Sequence, residues 1–302
     1  MTAPNPGGMH NILFVGSGEA VRLHSRTLRR HFPGVGRAYV SRSAERAREL
    51  ARLHGGRPCL DGWKAALEDG SLTTVFLTTP PDTHAGLALD ALLAGKHVIV
   101  EKPAFLDMDE FRQVEEGAGR EGRQVLVAEN YFYKPLLRRL RRILESGCLG
   151  QGRLIEINAV KRQRVDGWRQ DPARAGGGVL FEGGIHWVSF MAGLGLDIGS
   201  VRGFFPGAPA GHERSAVFVA EYVQGAVGVL NYSWEIPSML RGLRLSRIWG
   251  TGGSVFFESN GLFVLRTGGR PRLVLPAVSA TQGSRGMMAD FLRALSSGEP
   301  PR

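Results

Sequence analysis

The sequence predicts an α/β protein of two domains: a doubly wound parallel sheet over residues 1–128, and an α+β domain with an open, mostly antiparallel sheet over residues 129–302. Three observations favour this fold class. Short apolar strands alternate with helical periodicity up to Ala128, and alternating strands with glycine-rich turns dominate beyond Gly150. The third is size, because 302 residues with 43% hydrophobic content suffice for two buried cores.

The composition excludes several classes of partner. The formal charge of +10 comes from a chain in which Arg is abundant and Lys scarce, without a recognised nucleic-acid motif, so we expect no nucleic-acid partner. Cys59 and Cys148 make neither a disulfide framework nor a metal cluster, and we expect no metal. No apolar run is long enough for a membrane span and no secretory pattern opens the chain, which favours a cytoplasmic protein without a membrane partner.

The first domain opens with the apolar strand Asn11–Val15, a glycine turn and a helical pattern. Gly16 permits a tight turn, Gly18 lets a pyrophosphate approach the backbone, and the following helix N-terminus favours negative charge. The segment therefore predicts a dinucleotide site, although glycine-rich turns are common without one. Its predicted cofactor contacts are Gly16, Ser17, Gly18, Glu19 and Ala20.

The second strand, 37–40, ends at a hydroxyl and a guanidinium where an acidic ligand for the NAD ribose would stand. Ser41 and Arg42 suit a 2′-phosphate, because Arg offers a fork of donors to phosphate oxygens. The sequence thus favours NADP as the cofactor, with NAD as the other possibility. The alternative is that Ser41 caps the helix 44–53 and Arg42 is solvated.

A strand–helix–strand unit runs from Thr73 to Pro103 and organises the first domain. In a parallel sheet the loops after its two strands face the same crevice. The residues predicted to lie there are Thr78, Thr79, Pro80, Glu101, Lys102 and Pro103. Lys102 is the first candidate for chemistry.

The periodicity changes in the second half of the chain. A helix over 107–118, a strand over 124–128 and a helix over 134–146 precede alternating strands at 153–160, 217–223, 227–232, 243–249, 254–257 and 262–265, and a helix over 286–296 follows. Ahead of most of these strands, Glu182 and His186 lie four residues apart in a glycine-rich apolar segment. If that segment is helical, both side chains project from one face.

Four motifs together resemble the glucose-fructose oxidoreductase, inositol dehydrogenase and MocA (Gfo/Idh/MocA) family: the N-terminal glycine turn, TTPPDTHAGLALDALLAGKHVIVEKP, VAENYFYKP and GGGVLFEGGIH. The resemblance covers nearly the whole chain. It implies a Rossmann domain beside an open-sheet domain, and oxidation or reduction of secondary alcohols on polyols, sugars and related compounds with NAD or NADP. It also implies a homodimer or homotetramer formed through the open sheet.

The resemblance assigns roles to individual residues. Lys102 matches the lysine beside the nicotinamide and the reacting oxygen, and Glu101 matches the acid near the nicotinamide ribose. His186 matches the proton-transfer residue, while Glu182 stands where the family most often has Asp. Glu182 is expected to orient His186 or to hold a second hydroxyl. A cis peptide bond before Pro103 is a further hypothesis.

Weaker candidates complete the predicted site. His84 is a possible cofactor contact, with loop anchoring as the alternative. Tyr131, Lys161, Trp168 and Arg169 are predicted substrate contacts, together with Lys102, Glu182 and His186.

Three functions from different classes fit the sequence. The favoured one is an NAD(P)-dependent dehydrogenase or reductase acting on a polyol, sugar or nucleotide sugar. The second is a regulator that binds the cofactor without turnover. The third is an enzyme of the same fold that reduces an imine or enone, or that cycles hydride out and back and ends in elimination.

Overall fold

The computed structural model describes residues 10–164, 167–207, 213–238, 242–268, 270–275 and 282–301. The chain divides into two compact units, the first formed by residues 1–128 and 284–302 and the second by residues 129–283.

The first unit contains a six-stranded parallel sheet. Its strands are β1 (Asn11–Val15), β2 (Gly36–Val40), β3 (Arg57–Pro58), β4 (Thr74–Leu77), β5 (His97–Val100) and β6 (Val125–Val127), in the order β3-β2-β1-β4-β5-β6. Ile12, Leu13 and Phe14 are all fully buried, as a central strand covered on both faces requires. The doubly wound sheet is thereby confirmed, and the strand order reverses between β1 and β4, where such sheets form their crevice.

The helices of this sheet are α1 (Glu19–His31), α2 (Ala44–His54), α3 (Gly62–Glu68), α4 (His84–Leu93) and α5 (Met108–Glu121). Clear local signals set the limits of α5. Asp107 Oδ1 accepts hydrogen bonds from the backbone N–H groups of Asp109 and Glu110, and Gly122 ends the helix at φ +61°.

In the residues that the structure describes, the second unit contains an eight-stranded sheet and three α-helices. Its helices are α6 (Pro135–Glu145), α7 (Pro172–Ala175) and α8 (Ile185–Ala192). Its strands are β7 (Gly152–Val160), β8 (Ile198–Phe204), β9 (Ser215–Tyr222), β10 (Val227–Ser233), β11 (Leu245–Gly250), β12 (Gly253–Glu258), β13 (Val264–Arg266) and β14 (Arg272–Val274). The order is β14-β13-β12-β11-β7-β10-β9-β8, and the neighbours are antiparallel except β7 and β10. The predicted open, mostly antiparallel sheet is confirmed.

One face of this sheet carries the core of the second unit. Trp187, Phe190 and Met191 of α8 are buried in it. The helix approaches β10 so closely that a Cβ on Gly228 would lie 2.7 Å from Met191 Cε, which explains the glycine. On the opposite face, apolar side chains such as Val229 and Trp249 remain partly exposed.

The segment that carries Glu182 and His186 is not one regular helix. Leu180–Gly184 forms a π-helical turn, and α8 begins at Ile185. Glu182 therefore lies in the π turn and His186 in the first turn of α8, so the two residues belong to different helical elements.

The C-terminal helix, α9 (Ser284–Ser297), belongs to the first unit and contacts α1. His10 Nε2 hydrogen-bonds to Ser296 Oγ at 2.7 Å, and Gln124 Nε2 donates to the carbonyl oxygen of Glu299 at 3.2 Å. The sequence-based domain over 129–302 is therefore corrected, because this helix packs with the N-terminal residues.

Within the described ranges, no helix is long and apolar enough to cross a membrane, and no group of three or more His, Cys, Asp or Glu side chains is arranged to hold a metal ion.

Candidate active site

The glycine turn after β1 leaves a helix N-terminus open. Gly16 has φ +123°, and a Cβ there would lie 2.9 Å from Thr78 Oγ1, so only glycine fits. Gly18 is the N-cap of α1 without a side-chain hydrogen bond, and no atom lies within 4 Å of the position of its Cβ. The first backbone N–H groups of α1 therefore donate to no capping side chain. An anion site at a helix N-terminus requires such available N–H groups.

The end of β2 presents a cation and two hydroxyls. Ser43, and not Ser41, is the N-cap of α2, where its Oγ accepts a hydrogen bond from Arg46 N. Ser41 Oγ accepts from Ser43 N at 3.3 Å, and the Arg42 side chain is exposed. No acidic residue stands at this strand end.

A buried histidine joins the loops after β4 and β5. The His84 ring nitrogens lie 2.8 Å from the carbonyl oxygen of Thr79 and 2.9 Å from that of Ala104, with Pro103 O at 3.2 Å. The side chain is fully buried. His84 thus anchors the two loops, which was the alternative to a direct cofactor contact.

The loop after β4 is fixed by its own threonines. Thr78 Oγ1 donates to the carbonyl oxygen of Val15 at 2.7 Å, which ties it to the end of β1. Thr83 Oγ1 donates to Pro80 O at 2.8 Å, and it forms a second hydrogen bond with the hydroxyl of Thr79 at 2.6 Å. The three predicted residues 78–80 therefore lie beside the glycine turn.

Glu101 is held by a histidine that the sequence analysis passed over. His24 Nε2 on α1 lies 2.5 Å from Glu101 Oε1, and Lys102 N donates to Oε2 at 3.0 Å. Burial raises the pKa of Glu101, but the hydrogen bond to His24 and the charges beside it outweigh burial and hold this pKa below its usual value. Glu101 is thus an oriented carboxylate next to the half-buried Lys102, whose bond to Pro103 is cis.

In the second unit, His186 is oriented by Glu129 and not by Glu182. His186 Nδ1 lies 2.8 and 2.9 Å from the two oxygens of the buried Glu129 carboxylate. Glu129 Oε1 also accepts from Tyr131 N at 2.9 Å. Because an ionised carboxylate only accepts, this geometry favours the tautomer of the neutral imidazole in which Nδ1 carries the proton and Nε2 the lone pair.

The imidazole of His186 is the first member of a stack that continues with Tyr131 and Lys134. The ring of Tyr131 stacks on that of His186 with centroids 4.5 Å apart, and Lys134 Nζ lies 3.7 Å from the Tyr131 ring centre. Burial, with Arg244 adding, lowers the pKa of Lys134 to about 8. Tyr131 was predicted to contact the substrate, and the structure places it directly against the predicted base.

Glu182 has a different partner. Arg169 Nε donates to Glu182 Oε1 at 2.9 Å, and the guanidinium carbon lies 4.7 Å from the ring centre of Trp168. Three of the predicted substrate contacts therefore form one group. Lys161 is exposed, and its backbone N–H donates to Ser233 O.

The sequence analysis missed Glu129, His24 and Lys134. A usable signal existed for Glu129, because it directly follows a strand of the parallel sheet at the carboxyl end, where functional side chains collect. For His24 and Lys134 no local signal distinguishes them from packing residues.

Two family models match the chain. Residues 10–129 match the oxidoreductase family model with an NAD-binding Rossmann fold, and residues 137–256 match the GFO/IDH/MocA C-terminal domain.

Individual proteins match as well. The dTDP-3,4-didehydro-2,6-dideoxy-alpha-D-glucose 3-reductase of Actinomadura kijaniata is 31% identical over 59% of this chain and 52% of that protein. The levoglucosan dehydrogenase of Pseudarthrobacter phenanthrenivorans is 24% identical over 74% of this chain and 65% of its own length. The chain spans about half the length of the first curated relatives it matches.

Solved structures share the fold. A levoglucosan dehydrogenase in complex with NADH and levoglucosan has a TM-score of 0.82 at 20% identity, covering 96% of this chain and 90% of that one. An oxidoreductase from Thermotoga maritima has a TM-score of 0.84 at 23% identity, covering 97% and 90%.

The Glu129→Gln substitution tests the orientation of His186. The amide keeps an acceptor for Tyr131 N but removes the negative charge and adds a donor, so the ring is no longer held in one tautomer. Two-dimensional ¹⁵N–¹H NMR of the neutral imidazole should show Nδ1–H in the parent protein and a mixture of tautomers in the variant. The matched control, Glu156→Gln, changes a partly exposed residue of β7 and should leave the spectrum unchanged. Nε2–H in the parent protein would contradict the assignment.

Proposed function

Because the chain belongs to the Gfo/Idh/MocA family of oxidoreductases, we propose that it transfers a hydride between a nicotinamide cofactor, preferably NADP, and a secondary alcohol or ketone of a sugar, cyclitol or nucleotide sugar. The observation that carries this proposal is the Glu129–His186 pair, which presents a basic nitrogen in a fixed direction. A regulator that only binds the cofactor has no use for such a base. The pair therefore supports the enzyme over that alternative.

The first unit fits a dinucleotide. The open N-terminus of α1 at Gly18 would hold the pyrophosphate, since its N–H groups lack a side-chain cap. Glu101, fixed by His24, would accept hydrogen bonds from a ribose hydroxyl. When bound, the nicotinamide supplies the carbon that accepts or releases the hydride.

His186 is the proposed proton-transfer residue. A hydroxyl that becomes a carbonyl must lose its proton as the hydride departs, and the lone pair on Nε2 accepts it. The Glu129 carboxylate stabilises the imidazolium that results, in the way that the aspartate of a serine-protease triad does.

Lys102 is the proposed electrostatic group. As an ammonium it stabilises the negative charge that develops on the reacting oxygen, which is a gain made mainly in the transition state. The neighbouring bond from Lys102 N to Glu101 fixes the backbone from which the side chain extends.

The Lys102→Met substitution tests the proposed chemistry. Turnover should fall about 10³-fold, because a fixed charge at the reacting oxygen is worth that much, while NADPH affinity stays within a factor of about three. The measurements are a fluorescence titration for binding and NADPH absorbance for turnover, on a substrate found by screening polyols and keto-sugars. Lys64→Met, at an exposed position of α3, is the control. Full activity in Lys102→Met would refute the assignment.

The preference for NADP rests on Ser41 and Arg42. Arg42 is exposed at the end of β2, free of any ion pair within the described part of the chain, and no carboxylate stands there to repel a 2′-phosphate. The levoglucosan dehydrogenase structure holds NADH, so the family fold does not fix this choice.

The Arg42→Gln substitution separates the two cofactors. The Kd for NADPH should rise about tenfold through loss of a charge-assisted hydrogen bond, and the Kd for NADH should not change. Fluorescence titration measures both. Arg48→Gln on the exposed side of α2 removes the same charge and serves as the control. Equal affinities of the parent protein for NADPH and NADH would show that the preference is absent.

The open sheet is the proposed surface for self-association. In strand register, Val219 pairs with Val229 and Phe256 pairs with Leu265 on the face opposite the core. A second copy of this chain would cover these apolar side chains and gain the free energy of removing them from water.

The Val229→Glu substitution tests this surface. A charge in the centre of the face should convert the assembly to a monomer, measured by sedimentation equilibrium. Val223→Glu, in the exposed turn after β9, is the matched control and should leave the assembly intact. A monomeric parent protein at micromolar concentration would refute self-association.

A further inference from the structure

Arg169 is held rigidly but remains accessible. Its Nε donates to Glu182, and its guanidinium lies over the ring of Trp168. The side chain is 42% exposed, whereas that of Glu182 is only 8% exposed. The carboxylate and the indole therefore fix the plane of the guanidinium without covering it.

The geometry of the pair leaves donors for a ligand. Glu182 accepts through the Nε side of the guanidinium, and among the described residues no other acceptor contacts Arg169. A guanidinium carries five N–H donors in a planar fork, and this fork matches the oxygens of a phosphate or a carboxylate. Because stacking and the bond to Glu182 already restrict the side chain, little further entropy is lost on binding.

The alternative is that Arg169 only neutralises the buried Glu182. Here the cation is the exposed partner. In addition, the surrounding segment carries more positive charge than Glu182 requires.

The segment 161–174 is strongly basic. Its five basic residues are Lys161, Arg162, Arg164, Arg169 and Arg174, against the two acidic residues Asp166 and Asp171. Lys161, Arg162 and Arg164 are exposed. Clustered charge of one sign raises the local concentration of an oppositely charged ligand.

This basic segment lies in the same part of the second unit as the proposed base. A Cβ on Gly183 would clash with Tyr232 Oη, so the turn that carries Glu182 packs against Tyr232. This turn runs directly into α8, where His186 stacks on Tyr131. Arg169, which is held by Glu182, and His186 therefore attach to one short segment of the second unit.

We propose that the substrate is an anionic sugar, carrying a phosphate or carboxylate group away from the reacting carbon, and that Arg169 binds this group. The inference rests on the proposed function and narrows its substrate class. Lys161 and Arg164 attract the anion, and Arg169 binds it through its fork. Neutral polyols lack this contact and are the poorer ligands.

Binding measurements on the NADPH-saturated protein test the class without relying on turnover. The probes are UDP-glucose, which carries a diphosphate, D-glucuronate, which carries a carboxylate, and neutral D-glucose. At least one anionic probe should bind tenfold or more tightly than glucose at about 50 mM salt, and its Kd should rise with ionic strength. The anionic probe that binds identifies the source of the charge. Glucose binding as tightly as both, or neither anion binding at 10 mM, would overturn the proposal.

Two sets of variants locate the contact. Arg169→Lys keeps the charge beside Glu182 but loses the fork, and should raise the Kd of the anionic probe about tenfold without changing that of glucose. The double variant Lys161→Gln with Arg164→Gln should flatten the dependence on salt. The matched control, Arg270→Gln with Arg272→Gln, removes two exposed charges near β14 and should change neither. An unchanged Kd in Arg169→Lys would remove Arg169 from the site.

The two proposals fail in different ways. If the anionic probes bind as expected but no ketone or alcohol of any sugar supports hydride transfer, the proposed function is wrong and the binding site remains. If neutral sugars are turned over with a KM that is independent of salt and of Arg169→Lys, the function holds and the anionic class is wrong.

Discussion

The bridge made by His84 sets the geometry of the first unit. Its ring joins the carbonyl oxygens of Thr79 and Ala104, which belong to the loops after two successive strands. Burial lowers the pKa of His84, so the neutral ring has a single N–H, which donates to one loop while the other ring nitrogen packs against the second loop. The ring therefore fixes the distance between the loop beside the glycine turn and the loop that carries Lys102.

Further contacts connect the same two loops to β1 and α1. Thr78 ties the loop after β4 to the end of β1, and Gly16 fits against Thr78 only because it lacks a Cβ. Glu101, at the start of the Lys102 loop, returns to α1 through His24. Each of these loops is thus fixed to another loop or to α1, and in the proposed site a dinucleotide would bind with little loss of backbone freedom. In the second unit, Glu129 fixes the position of His186. Its carboxylate accepts one hydrogen bond from the backbone N–H of Tyr131 and one from the imidazole.

The features that the sequence predicted are those with local causes. The strand Asn11–Val15, the glycine turn and the order of elements up to β6, except the two-residue strand β3, follow from periodicity and turn chemistry within short windows. The hydrogen-bond partner of His186 could not be predicted from the sequence, because Glu129 lies 57 residues away and the nearer Glu182 has the same carboxylate chemistry. The strand β8 was missed because nearly all of its side chains are exposed, so it shows no alternation, and β14 is only three residues long. The position of α9 depends on contacts with α1, nearly the whole chain away.

Glu182 is bonded to Arg169, and His186 is bonded to a different acid. Glu182 lies in the π turn over Leu180–Gly184, ahead of α8. A Glu side chain reaches one methylene farther than Asp, and here its carboxylate contacts Arg169, which lies 13 residues upstream. With Glu182 bonded to Arg169, His186 takes its carboxylate partner, Glu129, from a separate element. In the proposed site two different acids thus position the two functional groups, because Glu129 orients the proposed proton-transfer residue His186 and Glu182 holds the proposed anion-binding residue Arg169.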